Sequence, residues 1–269
     1  MKVGGWAEDK YRMVALYDEL FSSGMRKKWE TRVYIDLYSG PGYVQVRGTN
    51  RILKASPMLA LGVPDQFDKY IFCEKDKEYL EALQTRVNRY FPDANVSYIP
   101  GDCNAEVEKI CAEIPAASRD RRVLSFCFVD PFDISVKFST IRRLSAFFID
   151  FLVLLALDMD AIRNLTHYLN PANLKVEEFL GVSDWRLRWG AAERNGVDFR
   201  KFLALQYAEQ MKLLGYKDTP LSLMKLVRSD DRNRPLYRLA LFSRHDLAYK
   251  FWDQVLRYST DQTTLDFQG

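Results

Sequence analysis

Histidine is scarce in this 269-residue sequence, which contains two, His167 and His245. They lie far apart and have no nucleophile at a recognisable spacing, which weakens a zinc site and a Ser-His or Cys-His catalytic pair. The four cysteines form no C-x-x-C pair, so a zinc or iron–sulfur site is also disfavoured. We expect small buried thiols in a reducing compartment at Cys73, Cys103, Cys111 and Cys127.

Long apolar runs, low-complexity tracts and strong net charge are also lacking. No apolar run approaches the roughly 20 residues that span a bilayer, and the N-terminus has no basic-then-apolar signal pattern. The sequence therefore predicts a soluble, cytoplasmic protein with no membrane partner. Its net charge of +3 permits a nucleic-acid partner without requiring one.

What the sequence does contain is an apolar fraction of 48%, ample for a core, and alternating strand and helix patterns. Helical patterns, clearest at 78–90 and 105–114, separate runs rich in β-branched and aromatic residues. This β-α-β order predicts a parallel sheet with right-handed crossovers. The predicted strands are 33–37, 69–74, 96–99, 124–129 and 148–155.

Other elements flank these strands. A helix over 8–28 is expected to end at Gly24, and Ser56 followed by Pro57 indicates a helix N-cap within the long connection 43–68. Turn-rich residues between 222–227 and 236–242 predict a hairpin, followed by a helix over 246–258. We divide the chain into an N-terminal helix (1–30), a Rossmann-like domain (31–160 and 216–260) and a helical insertion (161–215).

The predicted fold is α/β. Five parallel strands closed by a C-terminal antiparallel hairpin is the layout of a Rossmann-like class I methyltransferase sheet, here with a helical insertion. The hairpin supports this interpretation, although an ordinary sheet edge would also produce one.

A glycine-rich turn follows the first predicted strand. Asp36 ends the strand, and Gly40 and Gly42 permit close approach of backbone N–H groups to a ligand. The turn lacks the lysine and serine or threonine of a phosphate-binding loop, and Asp36 suits the ammonium of S-adenosylmethionine. Tyr38 and Ser39 belong to the same candidate cofactor-binding segment, and an ordinary strand-to-loop turn remains the alternative.

Further acids follow the next strands. Glu74, with Lys75 beside it, ends the second strand and matches the vicinal diol of a ribose. Asp102 follows the third strand and suits an adenine amine, with the Cys103 backbone N–H beside it to bind a ring nitrogen. Each acid alone is equally well explained as a helix cap or a solvated turn.

The fourth strand ends in Asp130-Pro131-Phe132, which resembles the D-P-P-Y type motif of amino-methyltransferases. In such motifs a carboxylate and the following carbonyl accept hydrogen bonds from a target amine, and an aromatic ring stacks on a flipped base. Asp130, Pro131 and Phe132 are therefore the candidate catalytic residues. The alternative for Phe132 is a core position.

Taken together, these segments resemble the three-Cys-motif partner protein (TcmP) family. The resemblance covers roughly residues 10–160 and the hairpin, with the insertion less recognisable. It is carried by Tyr34-Ile35-Asp36-Leu37-Tyr38-Ser39-Gly40-Pro41-Gly42, Ala55-Ser56-Pro57-Met58-Leu59-Ala60-Leu61, Tyr70-Ile71-Phe72-Cys73-Glu74-Lys75-Asp76, Gly101-Asp102-Cys103-Asn104 and Phe128-Val129-Asp130-Pro131-Phe132.

This resemblance implies a bacterial methyltransferase-like protein whose partner carries the three-cysteine motif of the radical-SAM kind. The cysteines in the family name belong to that partner. This sequence departs from the family pattern at Ser39, Ala55 and Asp133, where alanine, glycine and glycine are commoner. The last of these changes bears on the geometry of the target pocket, and the resemblance supplies no substrate.

Three functions fit these residues. The first is an S-adenosylmethionine-dependent methyltransferase acting on an amine, with a nucleobase in nucleic acid as one acceptor. The second is a catalytically weak or inactive protein that keeps the cofactor pocket and binds its three-Cys-motif partner. The third is a metal-dependent phosphoesterase with Asp36, Asp130 and Asp158 as ligands.

Overall fold

The computed structural model describes residues 1–157, 165–229 and 234–265. Its main sheet has seven strands in the order β6-β5-β2-β7-β8-β10-β9. The first five of these run parallel, and β10 pairs antiparallel with both β8 and β9. The strands are β2 (Thr31–Asp36), β5 (Lys69–Glu74), β6 (Val96–Pro100), β7 (Val123–Val129), β8 (Ile149–Leu155), β9 (Lys225–Arg228) and β10 (Pro235–Phe242).

This topology confirms the predicted sheet of five parallel strands plus a hairpin. β2 lies at the centre of the five parallel strands, with β5 and β7 on either side. Strand order reverses between β2 and β7, because the chain goes from β2 outward to β6 and then returns to β7. In open α/β sheets such a reversal opens a crevice beyond the carboxyl ends of the strands, where ligands bind.

Helices cover both faces of the sheet. On one face lie α1 (Ala7–Met25), α2 (Ser56–Leu61), α3 (Lys77–Tyr90) and α10 (Asp246–Leu265). On the other lie α4 (Val107–Glu113), α5 (Phe138–Leu144), α6 (Leu165–Leu169), α7 (Lys175–Leu180), α8 (Trp185–Arg194) and α9 (Phe199–Leu213). The last four form the helical layer predicted from the sequence.

The core follows the two-residue repeat of the strands. Val33 and Ile35 of β2 pack on the face that carries the helical layer, whereas Tyr34 packs on the α1 face against the Phe126 and Phe67 rings. Alternate side chains of a strand point to opposite faces, so a central strand with a helical layer on each side is apolar throughout. All four cysteines are buried and free, as expected for small core residues.

Two boundary predictions are wrong. Gly24 does not end α1, which continues to Met25; a Cβ on Gly24 would lie 2.4 Å from Cζ of Phe251, so this glycine allows α10 to approach. Ser56 is the first helical residue of α2 and Ala55 occupies the N-cap position. The Ser56 hydroxyl lies near Asp36 and provides no cap.

A second, three-stranded sheet was not predicted. It contains β1 (Lys2–Val3), β3 (Tyr43–Val46) and β4 (Ile52–Lys54), in the order β1-β3-β4. β1 pairs parallel with β3, which brings the N-terminal segment beside the loop that follows β2. In the residues that the structure describes, no helix combines the length and apolar character needed to cross a membrane.

Candidate functional site

A cavity of about 640 Å³ lies beyond the carboxyl ends of the parallel strands. This volume is within the range of small-molecule sites. Loops from four strand ends contribute to its wall, which is where the sequence predicted the ligand site. The predicted residues that line it are Tyr38, Ser39, Gly40, Glu74, Lys75, Asp102, Asp130, Pro131 and Phe132.

The remaining predicted residues, Asp36, Gly42 and Cys103, lie just behind this wall. Gly42 has a φ of +81°, and a Cβ there would lie 2.9 Å from Cδ1 of Leu83. Gly42 therefore packs the loop against α3. Cys103 is buried next to Tyr38, and burial raises the pKa of its thiol to about 11.

The loop after β2 is joined to the end of β5 by backbone contacts. Ser39 N–H donates to the Cys73 carbonyl at 3.0 Å, and Gly40 N–H donates to Glu74 Oε2 at 2.7 Å. Gly40 has a φ of +59°, in the left-handed region that glycine adopts without strain. The loop and Glu74 thus form one continuous surface on the cavity.

Glu74 is half-buried with both carboxylate oxygens oriented by backbone donors. Oε2 accepts from Gly40 and Oε1 accepts from Asp76 N–H at 2.8 Å. A carboxylate oxygen accepts more than one hydrogen bond, so each oxygen retains capacity toward the cavity. This is the arrangement expected of a diol-binding acid.

Asp36 lies behind the cavity wall and is fully buried. Oδ1 accepts from Tyr38 N–H at 3.1 Å, whereas Oδ2 is within hydrogen-bond geometry of no partner, although the Ser56 hydroxyl lies near the carboxylate. Burial raises the pKa of Asp36 to about 7, against the lowering effect of the Ser56 hydroxyl and the Tyr38 N–H. An unpartnered buried carboxylate oxygen is costly unless a ligand or water satisfies it.

Asp102 completes the side of the cavity next to Glu74. Its Oδ1 accepts from Asn104 N–H at 2.9 Å, and Lys75 Nζ lies 3.6 Å from its Oδ2. The Lys75 side chain is otherwise exposed, so this ion pair contributes little to stability. The pair places one acid and one amine at the rim.

The Asp130-Pro131-Phe132 segment forms the opposite wall. Phe132 is 70% exposed, so it is a wall residue and its predicted alternative as a core residue is wrong. Pro131 is buried and Asp130 is nearly so. Asp133 Oδ2 accepts from Lys175 Nζ at 2.7 Å, which ties this loop to the helical layer.

Sequence reasoning missed the residues that α1 and β1 contribute to the cavity. Lys10 is buried and its Nζ lies 2.5 Å from Asp130 Oδ2. Met1, Val3, Trp6 and Tyr11 also line the cavity. A signal was present, because Lys10 lies on the stripe of α1 that buries Val14 and Tyr17 at helical spacing.

The site fits the cofactor that the sequence predicted. The volume is sufficient for a nucleoside, and Asp36, whose Oδ2 has no hydrogen-bond partner, is a carboxylate that a nearby cation would hold in its charged form. Gly40 leaves open backbone, because a Cβ added there would meet nothing nearer than the sulfur of Met1 at 3.7 Å. Among the described residues no three potential ligands are grouped to hold a metal ion, and Asp158, proposed as such a ligand, lies outside them.

The sequence matches no protein-family model and no curated protein. Similar solved structures include protein LPL1258 from Legionella pneumophila, with 14% identity over 65% of this chain and 74% of that one and a TM-score of 0.43. Another is the O-methyltransferase TomG from Streptomyces achromogenes in complex with SAM, with 11% identity over 85% and 79% and a TM-score of 0.43.

A third similar structure is Trm1 from Pyrococcus horikoshii with S-adenosyl-L-methionine, with 10% identity over 91% of this chain and 58% of that one and a TM-score of 0.40. Similarity at this level says nothing about the site. The α/β fold class therefore depends on the strand order and pairing described above.

Proposed function

We propose that this protein is an S-adenosylmethionine-dependent methyltransferase acting on an amine. The observation that carries the proposal is the 2.7 Å hydrogen bond from Gly40 N–H to Glu74 Oε2. It joins the glycine loop and the diol-binding acid at one cavity, above the buried carboxylate of Asp36. These are the groups that a cation carrying a ribose requires.

Each wall has a role in holding the cofactor. Glu74 accepts from the ribose hydroxyls, and Gly40 and Ser39 provide close backbone approach. The Asp36 carboxylate attracts the positive charge of the ligand. The attraction acts across the cavity wall, where the dielectric constant is low and electrostatic interactions are stronger than in water. Asp102, with the Cys103 backbone beside it, contacts the adenine.

S-adenosylmethionine supplies an activated methyl group, so the protein's main task is to position the acceptor and exclude water. Asp130 accepts a hydrogen bond from the acceptor amine, and Phe132 packs on its ring. Bound S-adenosylmethionine would supply the methyl group, and Asp130 would accept the proton that the amine nitrogen releases on methylation.

Transfer of labelled methyl groups from S-adenosylmethionine to total nucleic acid and to total protein tests this proposal. We expect the wild-type protein to transfer the label to an amine. The Asp130→Asn variant should still bind the cofactor but lose at least a hundredfold in turnover. Asp93→Asn is the control for the same substitution, because Asp93 is exposed and does not line the cavity. Absence of labelling with intact cofactor binding would contradict an enzymatic role.

A second candidate is a binding protein that keeps the cofactor pocket and acts through a partner bearing the three-cysteine motif. The Lys10–Asp130 ion pair favours it, because one Asp130 oxygen is already engaged. Under this alternative, the protein binds the cofactor but transfers no methyl group, so Asp130→Asn has no activity to reduce. The protein is then expected to co-purify with that partner.

A further inference from the structure

We propose that Lys10 selects the methyl acceptor: with Asp130 it forms a donor–acceptor pair that fits an aromatic amine next to a ring nitrogen, as in adenine or cytosine, and that rejects alkylammonium groups. This inference rests on the proposed function and specifies its substrate class. It assigns to Lys10 a role that the sequence motifs do not include.

The position of Lys10 is unusual for a lysine. Its side chain is 4% exposed, it lines the cavity, and its Nζ lies 2.5 Å from Asp130 Oδ2. The same nitrogen lies 4.5 Å from the Tyr11 ring centroid and 5.5 Å from that of Trp6. Two aromatic rings and one carboxylate therefore fix the ammonium in place.

Lys10 remains a cation in this setting. Burial lowers its pKa, but attraction to Asp130, the interaction with Tyr11 and the hydrogen bond to Asp130 outweigh burial, so the pKa is raised. An ammonium has three N–H donors and no acceptor. Asp130 Oδ2 and Tyr11 each engage one of them, which leaves one N–H that Lys10 can donate at the cavity it lines.

Asp130 has complementary capacity. Among the described residues, Lys10 is its hydrogen-bond donor, and the contact is to Oδ2. Oδ1 is thus left to accept from an acceptor N–H. An acceptor that reaches both groups presents an N–H to Asp130 and a lone pair to Lys10, on two nitrogens joined through one carbon.

The amino edges of adenine and cytosine have this pattern. Each pairs an exocyclic amine with a ring nitrogen that accepts a hydrogen bond. Phe132, 70% exposed on the cavity wall, provides an aromatic face for such a base. A lysine side chain of a protein substrate has no lone pair while charged, and its charge would compete with Lys10 for Asp130.

Deleting single atoms from the ligand tests this inference. We would measure binding of labelled single-stranded oligonucleotides, in the presence of S-adenosylhomocysteine, with adenine replaced by 1-deazaadenine or cytosine by 3-deazacytosine. Both replacements retain the amine and remove the neighbouring ring nitrogen. The wild type should lose at least tenfold in affinity for one of them, and Lys10→Met should bind base and deaza-base equally.

Lys10→Arg is the matched variant, because it retains charge and donors and should preserve the discrimination. If Lys10→Met does not fold, Lys10→Arg still provides a variant at this position. The comparison of base with deaza-base in the wild type requires neither variant. Wild-type indifference to both replacements, or full discrimination by Lys10→Met, would overturn the inference. Methyl transfer to polylysine would overturn it while leaving the proposed function intact, whereas a failure to bind S-adenosylhomocysteine would overturn both.

Discussion

At the residue scale, burial sets the chemistry of Asp36. A carboxylate on a solvated strand end would be charged throughout the neutral range, but Asp36 is fully buried and its pKa is about 7. In the ligand-free protein it is therefore about half neutral at pH 7. Its charge state should depend on whether a cation occupies the cavity.

This linkage predicts pH-dependent cofactor binding. A cationic ligand favours charged Asp36, so below pH 7 binding must expel a proton, and affinity should fall by up to about tenfold per pH unit. Above pH 7 Asp36 is already charged, so the cofactor affinity should no longer change with its ionisation. Calorimetry between pH 5.5 and 7.5 checks this, and Asp36→Asn should bind more weakly with a flatter profile. An equally steep profile in that variant would exclude Asp36 as the titrating group.

The Lys10–Asp130 pair gives a prediction about stability. Asp130→Asn leaves Lys10 as an uncompensated buried cation, which should lower the free energy of unfolding by about 3 kcal/mol or more. Replacing both residues with neutral ones, Lys10→Met with Asp130→Asn, should restore most of that loss, because no charge is then buried alone. Urea denaturation measures both variants. A double variant as unstable as the sum of the two single ones would show that the pair is not coupled.

At the element scale, the loop between β2 and β3 depends on Gly42 for packing. Its φ of +81° is in the left-handed region, and a Cβ would meet Leu83 at 2.9 Å and Met58 Cγ at 3.0 Å. Gly48 has a similar φ of +74° with nothing within 4 Å of a Cβ. A substitution at Gly48 therefore tests backbone strain alone, whereas a substitution at Gly42 tests backbone strain together with steric packing.

Alanine at these two glycines should therefore have different effects. Gly48→Ala should cost about 1 kcal/mol, the backbone penalty alone. Gly42→Ala should cost a further 1 to 3 kcal/mol because it overpacks the contact with α2 and α3. Thermal unfolding of the two variants measures the difference. Equal losses would mean that Leu83 and Met58 move aside freely.

The sequence predicted those elements that local sequence patterns determine, and it missed those that depend on contacts between distant residues. The parallel strands and the hairpin were predicted because each is a buried β-branched or aromatic run between turn signals. The β1-β3-β4 sheet was missed because strands of two to four residues carry too little periodicity. Gly24 was misassigned because its role is an approach to Phe251, a residue near the other end of the chain, and no local pattern reports such a contact.

At the scale of the whole molecule, the topology determines the site. Four strand ends meet at one edge of the sheet, so the residues after them were predictable as neighbours from strand order alone. Lys10 was not, because its position depends on α1 packing beside the Asp130 loop. Under the proposed function, the strand ends would bind the cofactor and the N-terminal segment would select the acceptor.

The most direct test of this account is calorimetric titration of the purified protein with S-adenosylmethionine. The wild type should bind one equivalent per chain. Glu74→Ala should lower the affinity at least tenfold through loss of charge-assisted hydrogen bonds, and Glu78→Ala, exposed on α3, should bind like the wild type. A wild type that binds none, or a Glu74→Ala variant with undiminished affinity, would contradict the assignment of this cavity.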